Sequence, residues 1–189
     1  MSNNKTISIV GCGYIGKQLA QKLLTRHINV TGFVSSDSSQ TECSSLNIPC
    51  EKLDLDETLK PLDLSNNRLI YLAPPPKSGR FDSRMTHFLS AIKKQRPEKF
   101  LLISTTGVYG DCNGEWIDES RTLKPKADRA FRRADAEQQV QQFCANYKIP
   151  LVILRVAGIY GPGKIPIARI KSGQAIVKQQ DSPYTNRIH

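Results

Sequence analysis

Three glycines, Gly11, Gly13 and Gly16, fall at the spacing G-x-G-x-x-G in the stretch I-S-I-V-G-C-G-Y-I-G that runs from Ile7 to Gly16. That spacing suits contact with a pyrophosphate. Gly11 lets the chain turn sharply out of a strand, Gly13 leaves no side chain between backbone and phosphate, and Gly16 lets the next helix pack close to the strand. The first amides of that helix, from Tyr14, Ile15 and Gly16, then offer N–H donors and a partial positive charge. A second set of residues stands about 20 positions on, where a dinucleotide fold places a carboxylate for the adenosine ribose. Here Ser35 and Ser36 occupy the place, with Asp37 next. Hydroxyls accept a 2′-phosphate without repulsion, so the expectation leans to NADP(H) over NAD(H), although no arginine follows to clamp the phosphate. The alternative for Ser35–Ser45 is an ordinary serine-rich polar loop.

The glycines carry this meaning only between a strand and a helix. Ile7–Val10 is short, apolar and rich in β-branched residues, as a buried strand is. Behind the turn, Ile15, Leu19 and Leu23 recur every four residues and predict an amphipathic helix to about His27. Further strands are predicted within His27–Val34, in Ile48–Asp56, over Arg68–Ala73 (stopped by Pro74, Pro75 and Pro76), over Lys99–Ser104 and over Pro150–Val156. Helical patterns fill Phe81–Gln95 and Ala127–Tyr147. Strands alternating with helices give an α/β class with a doubly wound parallel sheet.

Composition bounds the rest. The chain has 189 residues, 39% of them apolar and 23% charged, which suits one globular unit with a full core. No apolar run approaches the roughly 18 residues of a membrane helix, and the polar start lacks a signal sequence, so the expected location is the cytoplasm with no membrane partner. Five scattered cysteines contain no C-x-x-C and no zinc spacing, so reduced thiols and no metal are expected. The net charge of +10 could steer anionic ligands. The basic residues are dispersed, and the densest stretch, Lys124–Arg133, carries Asp128 and one aromatic, Phe131. Nothing matches a nucleic-acid recognition motif, so a small-molecule partner is expected.

After the fifth predicted strand comes S-T-T-G-V-Y-G (Ser104–Gly110), and after the sixth R-V-A-G-I-Y-G-P-G (Arg155–Gly163). With the glycine turn, these pieces resemble the extended short-chain dehydrogenase/reductases, the group of NAD-dependent epimerases and dehydratases of nucleotide sugars. The commoner extended form has one more residue between its first two glycines. Asp54 or Leu55, at the end of the third predicted strand, is placed to meet the adenine edge, and the resemblance matches Asp54 to the adenine-contacting position. The resemblance sets Leu72, Ala73 and Pro74 beside the nicotinamide ribose, and the segment Val156 to Ile159, with Val156 and Ala157 foremost, along the nicotinamide, with Val156 where proline is usual. Thr105 matches the Ser/Thr that hydrogen-bonds the reacting oxygen, the catalytic role carried over here. Members often pair through the helix corresponding to 128–147, which implies a homodimer.

One motif departs. The family places Tyr-x-x-x-Lys on the long helix, followed four residues later by Glu. Glu137 fits that marker, which puts Arg133 at the Lys position and Arg129 at the Tyr position. An arginine stays protonated and cannot exchange a proton near neutral pH, but its planar fork holds phosphate or carboxylate. The chain therefore resembles the atypical members. Three readings follow: Thr105 with a water, or Tyr109, does the acid/base work; hydride chemistry persists with Arg129 on an anionic substrate; or the domain binds the dinucleotide and catalyses nothing, as a sensing or interaction module. The acidic neighbours Asp118 and Glu119 do not face each other, and their loop is expected to pack over the cleft through Trp116. The expected organisation is a dinucleotide-binding domain over 1–163 and the start of a substrate-binding region over 164–189, with a helix, a turn at Gly173 and a short strand. In relatives N-R-I-H is followed by an acidic pair opening another helix, so the resemblance implies a truncated chain.

Overall fold

The computed structural model describes residues 5–165, 167–173, 178, 184 and 186–189. Its main sheet is six-stranded and parallel, in the order β3-β2-β1-β4-β5-β6. The strands are β1 (Ile7–Val10), β2 (Val30–Val34), β3 (Cys50–Lys52), β4 (Arg68–Tyr71), β5 (Lys99–Thr105) and β6 (Leu151–Val156). The helices are α1 (Tyr14–Leu24), α2 (Asp37–Ser45), α3 (Ser83–Ala91), α4 (Asp128–Tyr147) and the short α5 (Ile167–Lys171). A separate parallel pair, β7 (Gly158–Ile159) with β8 (Arg187–Ile188), follows β6. The winding reverses between β1 and β4, and in such sheets a crevice opens beyond the carboxyl ends of those two strands. This is the doubly wound α/β fold expected from the alternating pattern.

Strand alternation builds two cores. Ile9, Val30 and Val34 pack with Ala20 of α1 and Cys43 of α2 on one face. Val10, Phe33, Leu69, Tyr71, Phe100 and Leu102 pack with Met85 and Phe88 of α3 and with Ala136 and Val140 of α4 on the other. Neighbours in a strand thus feed opposite faces, as the two-residue period requires. β6 departs from this pattern. Leu151 and Ile153 join the second core, but Val152 and Leu154 stay 51% and 43% exposed on the other face.

Two expectations are corrected. The serine-rich stretch after β2 is helix α2 rather than a loop. The Ser36 hydroxyl caps it by accepting the Ser39 N–H at 3.3 Å, and Asp37 sits in the first turn, where a negative charge suits the dipole. Only Cys43 of this helix is buried, so periodicity gave little signal. Trp116 is fully exposed and does not anchor its loop over the cleft. Gly173 does make the expected turn, at φ 66°, while most of the strand expected beyond it lies outside the described residues. No helix among the described residues is long and apolar enough to cross a membrane.

Candidate functional site

The glycine loop forms one end of the cleft. Gly11 has φ +82°, and a Cβ there would lie 2.4 Å from the Ala73 nitrogen and 2.6 Å from its Cα. The loop therefore touches the end of β4 backbone to backbone, which only glycine permits. The Gly11 and Cys12 amides donate to the Phe33 carbonyl at 3.0 and 2.9 Å, tying the turn to β2. At Gly16 a Cβ would meet the Gly11 oxygen and Ile9 Cγ2 at 3.2 Å and Leu72 Cδ1 at 3.3 Å, so the helix packs closely there. At Gly13 the nearest atom to a Cβ would be 3.9 Å away. That residue borders open space, and it precedes α1, whose N-terminus carries no side-chain cap. The first amides of α1, from Tyr14, Ile15 and Gly16, have no intrahelical acceptor and edge that space. Cys12 is buried within the loop, and burial pushes its thiol up to about 12, so it stays a protonated packing group.

Beside the loop lies a cavity of about 80 Å³ lined in part by Gly11, Phe33, Ser35, Asp54, Leu55, Ala73, Pro74 and Arg84. The sequence-predicted Ser35, Asp54 and Leu55 thus share one hollow with the end of β4, while Ser36 is not in its lining. Asp54 accepts the Asp56 N–H at 3.0 Å, which fixes the turn after β3. Arg84 was not foreseen. It grips Asp56 through two bonds of 2.6 Å and donates to the Pro74 carbonyl at 3.1 Å, so it straps α3 across the hollow. Its place in the first turn of the helix after β4 is the one signal the sequence carries. Ser36, predicted for the ribose, uses its hydroxyl to cap α2, and Asp37 pairs with Lys52 at 2.8 Å.

The other end is built on β5, β6 and α4. Thr105 pairs in register with Val156, so these two predicted residues lie side by side, with Ala157 next in the chain. The Thr105 hydroxyl accepts the Gly107 N–H at 3.2 Å, which leaves its own proton to donate. It borders a cavity of about 250 Å³ lined by Thr105, Gly107, Gly110, Lys126, Ala127, Arg129 and Ala130. Thr105 and Arg129 therefore face one space.

The two arginines of α4 differ sharply. Arg129 is exposed at this cavity. Arg133 is 8% exposed, and one guanidinium nitrogen donates to the Ala73 carbonyl at 3.1 Å. Its other terminal nitrogen, Nη1, is buried without a partner, as are the Tyr71 hydroxyl and Asp82 Oδ2. Burial pulls the Arg133 guanidinium below its usual value, while Asp82, Tyr71 and Glu137 hold it up. Burial pushes the Asp82 carboxyl up, opposed by the Met85 N–H and by Arg133. Glu137, the family marker, is 1% exposed. It accepts from the Ser104 hydroxyl and pairs with Arg155 at 2.9 Å. Arg155 in turn donates to the Tyr109 hydroxyl at 2.8 Å and to the Glu119 carbonyl at 3.0 Å. Tyr109 is thereby a bracing residue, buried and outside the cavity lining.

The residues present fit a nicotinamide dinucleotide. A Cβ-free surface at Gly13 faces an uncapped helix N-terminus, and the unpartnered Arg133 nitrogen sits beside the end of β4. Leu72, Ala73 and Pro74 connect the two ends, with the Leu72 N–H held by the Val10 carbonyl at 2.7 Å.

Fold and site together define a Rossmann-type nucleotide-binding protein. More closely, the chain belongs to the NAD-dependent epimerase/dehydratase family, whose model matches residues 84–182, and it is an extended short-chain dehydrogenase/reductase by that membership. It is 42% identical over 82 residues to human (Homo sapiens) dTDP-D-glucose 4,6-dehydratase, a stretch covering 43% of this chain and 23% of that protein. It is 25% identical over 180 residues to protein YeeZ of Escherichia coli, covering 86% of this chain and 61% of that protein. Among solved structures, it superposes on UDP-glucuronic acid 4-epimerase from Bacillus cereus in complex with NAD. That match has a TM-score of 0.69 at 25% identity and covers 86% of this chain and 60% of the other. The chain thus spans less than two thirds of the length of each.

Proposed function

We propose that the chain binds a nicotinamide dinucleotide across this cleft and acts as an oxidoreductase or epimerase on a polar, sugar-nucleotide-like substrate. The observation that carries the reading is Thr105, which lines the 250 Å³ cavity beside the strand pair that would line the nicotinamide. The nicotinamide, when bound, supplies a hydride acceptor or donor. Gly13 and the first amides of α1 would hold the pyrophosphate, and Arg133 Nη1 would donate to a ribose hydroxyl, the part that lysine has in the family. Thr105 donates a hydrogen bond to the reacting oxygen, keeps its own proton, and fixes that oxygen's position. A proton lost from a substrate hydroxyl passes to water, because neither Arg129 nor Arg133 can accept it. We take NAD(H) as the cofactor. The hydroxyl argument for NADP(H) finds no support in the relatives, and Ser36 is committed to its cap. A cytoplasmic setting belongs to the same proposal and is supported by five free cysteines.

One observation favours a second reading, a dinucleotide-sensing module without turnover: Arg129 and Arg133 replace the proton relay. The two readings separate in one series. Fluorescence titration with NADH and NADPH in parallel is expected to give saturable binding that favours NADH. If neither binds, both readings fail. With turnover found in a nucleotide-sugar screen, Thr105→Ala should cut kcat about 100-fold while leaving NADH affinity intact, the range general acid–base and oxyanion-type groups supply. Unchanged kcat would remove Thr105 from the mechanism.

A further inference from the structure

The cavity of about 250 Å³ has a positive wall to which the proposed dinucleotide site assigns no part. Lys126 and Arg129 both line it, with Thr105 and Gly107 at its border. Among the described residues Arg129 makes no hydrogen bond or ion pair within the chain. The acidic groups nearby are engaged elsewhere or only loosely. Asp128 faces Arg80 at 3.8 Å, and Asp111 faces Lys126 at 3.7 Å across exposed side chains. Arg133 lies close enough that Arg129 disfavours its charge, so the two guanidinium groups leave a positive surplus at this end of α4. The wall is also held in shape. The Lys124 N–H donates to the Val108 carbonyl at 3.0 Å, and Gly110 lies so near the Lys124 carbonyl that a Cβ would approach its oxygen to 2.2 Å.

We propose that Lys126 and Arg129 form an oxyanion subsite, which takes a carboxylate or phosphate group carried by the substrate near its reacting carbon. The guanidinium fork suits two oxygens of such a group, and the ammonium adds a point charge. The subsite would orient the substrate against Thr105 in place of the missing tyrosine hydroxyl. Arg129 is then a specificity-determining residue, and neutral sugars would bind poorly. This inference rests on the substrate reading of the cavity, but its test does not need turnover.

The full chain, labelled with ¹⁵N, is titrated with inorganic phosphate and, separately, with acetate at constant ionic strength. The Gly107 and Ala130 amides report the site. Phosphate should produce saturable shifts at both. Arg129→Gln should weaken it at least tenfold, and Lys126→Gln should weaken it less, because Asp111 already shares that charge. Lys22→Gln, an equal charge change on the exposed side of α1, should leave it unchanged. Acetate binding as well as phosphate assigns the subsite to a carboxylate-bearing substrate, and phosphate alone to a phosphate-bearing one. Phosphate affinity indifferent to Arg129→Gln, or no saturable shift at Gly107 and Ala130, overturns the subsite. NADH binding is measured on the same samples. A chain that fails to bind NADH yet holds phosphate through Arg129 keeps the subsite and loses the oxidoreductase reading, and the reverse pattern does the opposite.

Discussion

At the β1–α1 end of the cleft the ligand surface is backbone, shaped by side chains that are absent. At the β5–α4 end it is side chains: Thr105, Lys126 and Arg129 on the cavity, with Arg133 buried behind them. The first surface is specified by space. A Cβ at Gly11 has nowhere to go, and one at Gly13 would meet only the Gly11 oxygen, at 3.9 Å. The second is specified by charge and hydrogen bonding, and its groups can be exchanged while the scaffold stands. The scaffold there is the Ser104–Glu137–Arg155–Tyr109 chain of bonds, which holds β5, α4 and β6 together beneath the cavity. A backbone cradle therefore identifies a class of cofactor and says little of the reaction. An exchangeable wall can depart from its family without loss of the fold, as Arg129 and Arg133 do.

The largest effect expected from this contrast lies within the glycine loop itself. Gly11→Ala combines a left-handed φ with a backbone clash, and should cost about 3 kcal/mol or more, a fall of at least about 6–12 °C in Tm. Gly13→Ala adds its methyl to open space at φ −86°, so its melt should stay near wild type while NADH affinity falls about tenfold in fluorescence titration. Equal melts for the two variants would mean that the loop does not press on β4 as described. Next in size, Glu137→Gln should leave Arg155 without its carboxylate partner. Breaking a buried pair costs about 3 kcal/mol, a fall of about 6–12 °C in Tm for a chain of this length. If the melt of Glu137→Gln matched wild type, the bracing role of this network would be lost and the contrast between scaffold and wall with it.

How much of this was legible follows the same division. The glycine loop was readable because three residues in a row of six carry its whole logic, and the strand before it and the helix after it are locally patterned. The doubly wound parallel sheet could be expected because alternating elements admit few topologies. Helix α2 was not readable: it buries only Cys43, and its serines signal a loop as readily as a cap. Arg84 reaches its hollow from a helix 28 positions beyond the Asp56 it grips, and no local pattern encodes that meeting. Trp116 misled for the opposite reason, since a lone aromatic suggests burial and this one is fully exposed. The two arginines were singled out by counting back from Glu137. Only the structure separates them into one exposed at a cavity and one buried against Ala73.

That separation yields the subtlest prediction, at the point where the two ends meet. Arg133 reaches across to the Ala73 carbonyl of the glycine-loop end, and Asp82 is the buried carboxylate that supports its charge. Asp82 also caps α3 by accepting the Met85 N–H at 3.0 Å, a role that asparagine can keep. Burial raises the Asp82 carboxyl above its ordinary value despite Arg133. A carboxyl raised in the folded state binds its proton more tightly there than in the unfolded chain. Its ionisation therefore takes stability away as pH rises above the unfolded value of about 3.9, and the loss is complete once pH passes the folded value. Asp82→Asn removes that loss. Relative to wild type, the variant should gain stability in urea melts as pH is raised from about 4 to 7, with little difference at the acid end. A variant that instead loses ground toward neutral pH would show that the Asp82 charge is worth more to Arg133 than its burial costs. The arginine at the lysine position would then depend on its counter-ion, and the two ends of the cleft would be joined by an ion pair rather than by packing alone.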